Sequence, residues 1–187
     1  MLRAVGSKAN LLDSENTEYY SLVADLINHE KVLQMKQYVQ HGNTSCFQHC
    51  LNVSYYNYLL CKFFSLNTRA AARAGLLHDL FLYDWHTYKK PEGEKFHGFT
   101  HPKAAALNAD RYFSITDIER DIIEKHMFPL TISLPRHKET VVIILVDKYC
   151  GLIETVAFRV RLAEHQARKL KRMITKLFFK KVQPDIE

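Results

Sequence analysis

The sequence predicts an all-α protein, and three observations support this fold class. Apolar residues recur every three or four positions along most of the 187 residues, which is the spacing of amphipathic helices. The one strand-like apolar run, residues 141–146, has no partner run with which to form a sheet, so we expect a buried helix there. The composition, 47% hydrophobic and 25% charged, excludes a disordered or low-complexity chain.

The predicted helices follow one another through short connections. The first is expected to stop near Gly42, and a loop with Pro91, Gly93 and Gly98 precedes the fourth. Thr100 or His101 is expected to cap that fourth helix, with Pro102 in its first turn. The expected helices are residues 17–40, 43–64, 67 to about 83, 100–113, 116–126, 139–156 and 159–179.

Positive charge is concentrated at the C-terminal end of the chain. Residues 159–187 contain nine Lys or Arg and three Asp or Glu, so their net charge equals the +6 of the whole chain. We expect one domain over residues 1–158, beginning with the N-terminal helix. A basic amphipathic helix from residue 159 is expected to pack its stripe from Val160 to Leu177 on that domain. The alternative is a surface for nucleic acid or anionic lipid.

Two features of the sequence suggest where the protein resides. No apolar stretch is long and uniform enough to span a membrane, and the N-terminus lacks the continuous apolar stretch of a secretory signal. The four cysteines include no CxxC pair, which favours reduced thiols over a disulfide framework. We therefore expect a cytoplasmic protein.

Several ionisable residues occur on otherwise apolar helix faces. His49 begins a stripe that continues at Val53 and Tyr56, so its ring is expected to point inward. A buried histidine is commonly just a hydrogen-bonded core residue. An unpaired buried carboxylate costs several kcal/mol, however, so Asp79 and Asp147 must be paired or bound to metal. A divalent cation would satisfy the two carboxylates and the three imidazoles of His49, His78 and His126 at once. Arg73 or Lys148 turning inward is the alternative partner.

The order of these residues resembles the HD-domain superfamily of metal-dependent phosphohydrolases. Three segments carry the resemblance: HCLNV beginning at His49, AGLLHD ending at Asp79, and ILVD ending at Asp147. Each segment lies on a predicted helix, and the resemblance extends over residues 40–156. Two further histidines follow the HD pair, His78 and Asp79, in the order found in the family. They are His101, just before Pro102, and His126, at the end of IIEKH.

The resemblance implies an HD-like helical bundle, a metal centre and a reaction. His49, His78, Asp79 and Asp147 would hold a first divalent ion, and Asp79 would bridge to a second one bound by His101 and His126. His78 and Asp79 would be the catalytic pair. Nitrogen and oxygen ligands without thiolate suit Mn, Fe, Zn, Ni or Co, as one ion or two. The HD pair is followed by Leu80, unlike the Gly-Lys of the cyclic-dinucleotide branch.

The function that follows is hydrolysis of a small-molecule phosphate ester, a nucleotide or a related compound, by attack of a metal-activated water on phosphorus. Lys103, Lys125 and Lys148 are candidates for contacting the phosphate, because each neighbours a proposed ligand. One alternative is a non-catalytic HD module that binds a nucleotide or a protein partner. A nucleic-acid-binding helical protein is the second, although it leaves Asp79 and Asp147 unexplained. The oligomeric state stays open.

Other residues near these motifs have weaker signals. His97 is a reserve ligand four residues before His101, although Gly98 and Pro102 favour a loop there. His41 is expected to be a surface or capping residue. An aromatic cluster after the HD pair is expected either to stack on a base or simply to pack; its members are Phe81, Tyr83, Trp85 and Tyr88.

Overall fold

The computed structural model of the chain describes residues 3–4, 17–89, 91, 93 and 95–182. Within these residues there are seven α-helices and one small antiparallel hairpin, so the all-α prediction is confirmed. The helices are α1 Thr17–Ile27, α2 Glu30–Gln34, α3 Cys46–Phe63, α4 Thr68–Leu77, α5 His97–Phe113, α6 Asp117–Lys125 and α7 Lys138–Val182. The hairpin consists of β1 Val39–His41 and β2 Thr44–Ser45. None of the described helices has the length and apolar character that crossing a membrane requires.

The centre of the fold is the contact between α3 and α4. Helix α3 is buried along most of its length, and the Ser45 hydroxyl caps it by accepting a hydrogen bond from the backbone N–H of Gln48. Gly75 on α4 faces Ser54 so closely that a Cβ at position 75 would lie 2.7 Å from the Ser54 Cα. The absence of a side chain at Gly75 therefore sets the distance between the two helices, and α4 ends two residues later, next to the HD pair.

A buried arginine ties α4 to two neighbouring helices. The Arg73 Nε donates to Glu119 of α6 at 3.1 Å, and its Nη1 donates to Asp25 of α1 at 2.6 Å. The sequence left open whether Arg73 pairs with Asp79. In the structure Arg73 pairs instead with Asp25 and Glu119. Arg73 thus has a structural role, and Asp79 has no guanidinium partner among the described residues.

A second buried carboxylate joins α6 to the start of α7. Asp121 accepts hydrogen bonds from the Thr140 hydroxyl at 2.6 Å and from the backbone N–H groups of Arg136 and His137. The Lys125 ammonium is bonded to the same carboxylate. Lys125, a predicted phosphate contact, therefore has its charge paired with a carboxylate of its own helix, α6.

The hairpin is the main departure from the predicted elements. One helix was expected over residues 17–40, but α1 ends at Ile27 and His29 caps α2, its ring accepting a hydrogen bond from the Lys31 N–H. The chain then becomes extended and turns at Gly42, whose φ of 62° lies in the left-handed region that favours glycine. Strands of three and two residues are too short to show a period-two pattern in the sequence.

The end of the chain also differs from the prediction. Two helices were expected, residues 139–156 and 159–179, the second packed on the domain. The structure has one continuous helix, α7, in which residues 159–175 are all exposed. The Leu177 side chain and residues 183–187 lie outside what the structure describes. The apolar stripe that begins at Val160 is consequently not covered by any described part of the chain.

Substituting Gly75 should destabilise the protein. The Cβ of Gly75→Ala would meet the backbone of α3, which cannot move aside as a side chain can, and we expect a loss of about 1–3 kcal/mol in the free energy of unfolding. Urea denaturation followed by circular dichroism measures this loss. The matched control is Gly98→Ala in α5, whose nearest contact is the flexible end of Leu130; its stability should stay within about 1 kcal/mol.

Candidate metal centre

All six predicted ligands converge on one place in the fold. Five helices contribute them, α3 and α5 near their N-terminal ends, α4 and α6 at their C-terminal ends, and α7 through its N-terminal third; apart from Asp147 each residue is at most 4% exposed. The Asp147 side chain is 15% exposed, because it faces a cavity. The six residues are His49 on α3, His78 and Asp79 at the end of α4, His101 near the start of α5, His126 at the end of α6, and Asp147 on α7.

The first group of donor atoms surrounds His78. Its Nε2 lies 3.5 Å from the Asp79 Oδ2 and 3.6 Å from the Asp147 Oδ1. The His49 Nε2 lies 3.0 Å from the same Asp147 oxygen. His49, His78 and Asp79 each offer a donor atom within 4.8 Å of the other two, which is a spacing that can hold a metal ion.

The second group shares Asp79 with the first. The Asp79 Oδ1 lies 3.3 Å from the His101 Nε2 and 3.7 Å from the His126 Nε2. The two Nε2 atoms are themselves only 2.9 Å apart. Because the two oxygens of Asp79 face different groups, this carboxylate lies between two sites that could each hold a cation.

The hydrogen bonds of the rings decide which nitrogen carries the proton. The Nδ1 atoms of His78, His101 and His126 lie 2.8–2.9 Å from the carbonyl oxygens of Gly75, His97 and Ile123. A carbonyl only accepts, so each Nδ1 is the donor and each neutral ring presents an Nε2 lone pair inward. The 2.9 Å contact between the His101 and His126 Nε2 atoms is then a contact between two acceptors.

Two buried atoms of the cluster have no hydrogen-bond partner in the described part of the chain. They are the His78 Nε2 and the Asp79 Oδ1. Buried polar atoms without a partner are costly and rare, and here they point at other acceptors. A cation among these lone pairs satisfies all of them, so the donor set fits a metal ion better than it fits a hydrogen-bonded core.

Glu154 completes the surroundings of His49 and was missed in the sequence analysis. Its Oε2 lies 3.0 Å from the His49 Nδ1, and its Oε1 accepts a hydrogen bond from Asn52 at 2.6 Å. A carboxylate behind a ligating histidine orients the ring and increases its basicity. The available signal was its position seven residues after Asp147, which is two helical turns and therefore the same face of α7.

The hairpin contributes two more residues that the sequence did not indicate. The side-chain amide of Gln40, on β1, donates a hydrogen bond to the Asp79 Oδ2 at 2.6 Å. This bond fixes the orientation of the Asp79 carboxylate. His41, expected at the surface or as a cap, is half-buried, lines the cavity and packs edge-on against His49 with 4.9 Å between ring centres. Gly151 on α7 leaves room for it, since a Cβ there would lie 3.0 Å from the His41 Nε2.

The charges within the cluster distinguish His49 and His78 from His126. Burial lowers the pKa of His49, but hydrogen bonds to Asp147 and Glu154 outweigh it and hold the pKa well above the ordinary value. Burial likewise lowers the pKa of His78, and the negative charge of Asp79 more than compensates. Burial and the neighbouring imidazoles lower the pKa of His126 to about 3. His126 is thus neutral, whereas His49 and His78 hold a proton whose place a cation could take.

The pKa values of the two carboxylates, Asp79 and Asp147, shift in the opposite direction to those of His49 and His78. Burial alone would raise the pKa of Asp79 and of Asp147, but the imidazoles around them, above all His78 for Asp79 and His49 for Asp147, lower both pKa values well below the usual range. Both side chains are therefore ionised. Cys46 and Cys50 also lie near Asp79, but burial raises the pKa of Cys50 well above the ordinary value, so this thiol stays protonated.

A cavity of about 1100 Å³ opens onto the cluster. Asp79, His101, His126 and Asp147 line its inner end. The outer wall is mainly apolar and includes Trp85, Phe96, Met127, Pro129, Leu130 and Leu152. A molecule in this cavity would have the cluster at one end and an apolar surface along its length.

The three predicted lysines have different positions. Lys148 lines the cavity, and its ammonium donates to the carbonyl oxygens of Ile144 at 3.2 Å and Phe128 at 3.4 Å. Lys103 is exposed on α5 and is not among the residues that line the cavity. Lys125 is bonded to Asp121, as described above, and does not line it either. Of the three, Lys148 is in a position to contact a molecule in the cavity.

His97, the reserve ligand, lies behind His101 and is part of α5, which begins three residues earlier than expected. Its ring stacks between those of Trp85 and His101, with centres 5.2 Å and 4.6 Å away, and its Nδ1 is 2.9 Å from the Tyr83 hydroxyl. Of the aromatic cluster after the HD pair, Trp85 is the residue that lines the cavity.

Comparisons with known proteins do not assign the chain to a family. No family model, no curated protein and no solved structure matches it. What the structure establishes is a cluster of buried histidines and carboxylates that could bind a metal ion.

Neutralising Glu154 should weaken metal binding without unfolding the protein. In Glu154→Gln the ring of His49 loses its charged acceptor, and we expect affinity for a divalent ion such as Mn²⁺ to fall by about 10–100-fold. Isothermal titration calorimetry measures the affinity, and thermal melting by circular dichroism checks the fold. Glu164→Gln, an exposed change on the same helix, should bind like the unaltered protein. Equal affinity for both variants would contradict the role of Glu154.

Metal binding at neutral pH should release protons. The pKa values of His49 and His78 are raised, so both rings are protonated below those values and must lose the Nε2 proton before coordinating a cation. We expect affinity for Mn²⁺ to fall as the pH is lowered, with on the order of two protons released per chain. Calorimetry in two buffers of different protonation enthalpy counts them. A binding enthalpy that does not depend on the buffer would contradict this assignment.

Proposed function

We propose that the protein is a divalent-metal-dependent phosphohydrolase of the HD-domain type, acting on a nucleotide or a related phosphate ester. The observation that carries the proposal is the convergence of the Nε2 lone pairs of His78, His101 and His126 with the oxygens of Asp79, at the inner end of a large cavity. The order of these residues along the chain is the order expected from the HD-domain resemblance.

The donor set indicates the kind of metal. Four imidazoles and two carboxylates without thiolate suit first-row transition metals such as Mn, Fe, Zn, Ni or Co. His49, His78, Asp79 and Asp147 would hold one ion, and Asp79, His101 and His126 a second. Divalent ions at such a site lower the pKa of bound water towards neutrality and stabilise negative charge on phosphate oxygens.

The residues of the chain itself have separate tasks in such a reaction. Asp79 joins the two groups of ligands, and Gln40 holds its orientation through the hydrogen bond to Oδ2. Glu154 keeps the His49 ring aligned with its Nε2 inward. Lys148 brings a positive charge to the cavity wall, where it can meet a phosphate oxygen as negative charge develops.

The apolar wall suits the part of the substrate that does not react. Trp85, Phe96 and Leu130 would pack against an aromatic or aliphatic body, such as a nucleobase, while the phosphate is held at the polar end. The four ligands that line the cavity make the metal site accessible from this side. A metal site with a purely structural role would have no need of such a cavity.

Release of inorganic phosphate or of a nucleotide product tests the proposal. Protein loaded with Mn²⁺, Fe²⁺, Zn²⁺, Ni²⁺ or Co²⁺ is assayed against nucleoside monophosphates, dinucleoside polyphosphates and cyclic nucleotides. We expect metal-dependent turnover of at least one class. Asp79→Ala should lose both the bound metal and the activity, because it removes the carboxylate that both ligand groups share.

Three further variants make the result specific. Asp79→Asn preserves the shape of the buried side chain, so it serves if Asp79→Ala does not fold, and Asp110→Asn is a control at an exposed ion pair. Lys148→Ala should raise KM while the metal content stays unchanged. A metal-loaded protein that turns over none of these esters would instead indicate a non-catalytic binding module. A fully metallated, active Asp79→Ala protein would contradict the site itself.

A further inference from the structure

The C-terminal half of α7 presents an apolar surface that no described part of the chain covers. Residues 159–175 are exposed throughout, yet the exposed side chains include Val160 at 51%, Leu170 at 57% and Ile174 at 56%. Isolated exposed apolar residues are ordinary, but a continuous exposed stripe marks an interaction surface.

The spacing of this stripe follows a heptad repeat. From residue 156 onward one stripe of apolar positions alternates between steps of four and three, and Leu177 continues it in the sequence, whereas the exposed Leu162 and Met173 lie outside the stripe. The members are Val156, Val160, Ala163, Ala167, Leu170 and Ile174. A repeat of 3.5 residues keeps one side of a helix facing a second helix through a left-handed supercoil. The pattern therefore indicates a helical partner.

The identity of the residues in the stripe indicates a parallel coiled coil of two helices. When Val156 is placed at position d of the heptad, the a positions hold Val160, Ala167 and Ile174, and the d positions after Val156 hold Ala163 and Leu170. β-branched residues at a combined with leucine at d favour parallel dimers. The two alanines in the middle allow the helices to approach closely.

The charges are arranged for a second copy of the same helix. Arg161, Arg168, Lys169 and Arg172 occupy positions b, c and f, which point away from a partner, so two basic helices can pair without placing these charges in contact. Lys171 is at e, where its g counterpart on the partner is the uncharged Gln166. Arg159 at g and Glu164 at e are five residues apart, the spacing that pairs g with e of the partner in a parallel coil. Two Arg–Glu pairs would therefore flank the interface.

The same arrangement disfavours an anionic membrane as the partner. An interfacial helix gains most when its basic residues border the apolar face and reach the lipid phosphates. At 100° per residue, four of the six Lys and Arg between residues 159 and 175 lie roughly 120–160° around the helix from the centre of the stripe, namely Arg161, Arg168, Lys169 and Arg172. Arg159 and Lys171 border the stripe. Most of the basic residues would therefore point towards water, away from the lipid.

The stripe also continues towards the domain. Leu145, Tyr149 and Leu152 are exposed on the same side of α7 at steps of four and three, with one additional four-residue step before Val160. The buried side of this segment, with Ile143 and Cys150, lies roughly 140° away around the helix, so the domain does not obstruct a partner.

From these observations we infer that the chain forms a homodimer through a parallel coiled coil of α7, with the domains on the outer sides of the pair. Leu152 also lines the cavity, so the interface borders the candidate metal centre. The inference rests on α7 alone and holds whether or not the protein is a hydrolase.

Light scattering coupled to size-exclusion chromatography of the full chain tests the dimer. We expect the unaltered protein to have twice the mass of one chain. Ile174→Glu places a charge in the seam and should give a monomer, while the adjacent Thr175→Glu adds the same charge at position b and should leave the dimer intact. The metal content should be the same in all three proteins, because residue 174 is far from the domain core.

A cysteine at a seam position tests the orientation. In a parallel pair the two copies of residue 163 meet, so Ala163→Cys should form an intermolecular disulfide on mild oxidation, whereas Thr175→Cys should not. The four native cysteines are buried and should not interfere. A monomeric unaltered protein, or an Ile174→Glu protein that stays dimeric, would overturn the inference. So would a monomer that floats with vesicles of anionic phospholipid.

Discussion

The structure depends on one constraint, the burial of ionised carboxylates beside imidazoles within a helical core. Asp79 is 2% exposed and has no arginine or lysine partner among the described residues, because Arg73 is engaged by Asp25 and Glu119. Its charge is balanced instead by the surrounding histidines and by a hydrogen bond from Gln40. An isolated charge in such a position would cost several kcal/mol, so the cluster is stable only as a unit with protons or cations among its lone pairs.

Carbonyl groups at the ends of helices orient the imidazole rings. The last carbonyl groups of a helix have no hydrogen-bond partner within that helix. The Nδ1 of His78 donates to such a carbonyl at Gly75, and the Nδ1 of His126 donates to one at Ile123. The bond satisfies the carbonyl and simultaneously directs Nε2 inward. The close contact of Gly75 with α3 then sets how far His78 lies from His49. Packing between helices and the geometry of the candidate metal centre are therefore determined by the same residues.

Helix α7 connects the cluster with the surface of the molecule. Asp147 and Glu154 lie on its inner side, two turns apart, and act on the same histidine. Leu145 and Leu152 lie on the outer side and begin the stripe that continues along the projecting part of the helix. A partner bound to this stripe would contact the element that carries two residues of the metal centre, which links association of the chains to the rim of the cavity.

The sequence by itself determined the helical fold and, among the six residues that converge, His49, His78, Asp79, His126 and Asp147, because helical periodicity and carboxylates in apolar surroundings are local patterns. His101 was expected only from the resemblance to the HD-domain superfamily. The sequence did not reveal Glu154, Gln40 or His41, since their roles depend on contacts between elements distant in the chain. The hairpin that carries Gln40 and His41 is too short to leave a pattern. Tertiary structure alone also decided that Asp121 accepts a hydrogen bond from Thr140 and so joins α6 to α7, and that α7 continues past residue 159 without folding back. The pairing of Lys125 with Asp121, by contrast, follows from their spacing of four residues on one helix. Helical periodicity is a local property of the sequence, whereas the direction in which a helix runs, and what its side chains contact, are set by the packing of the whole chain.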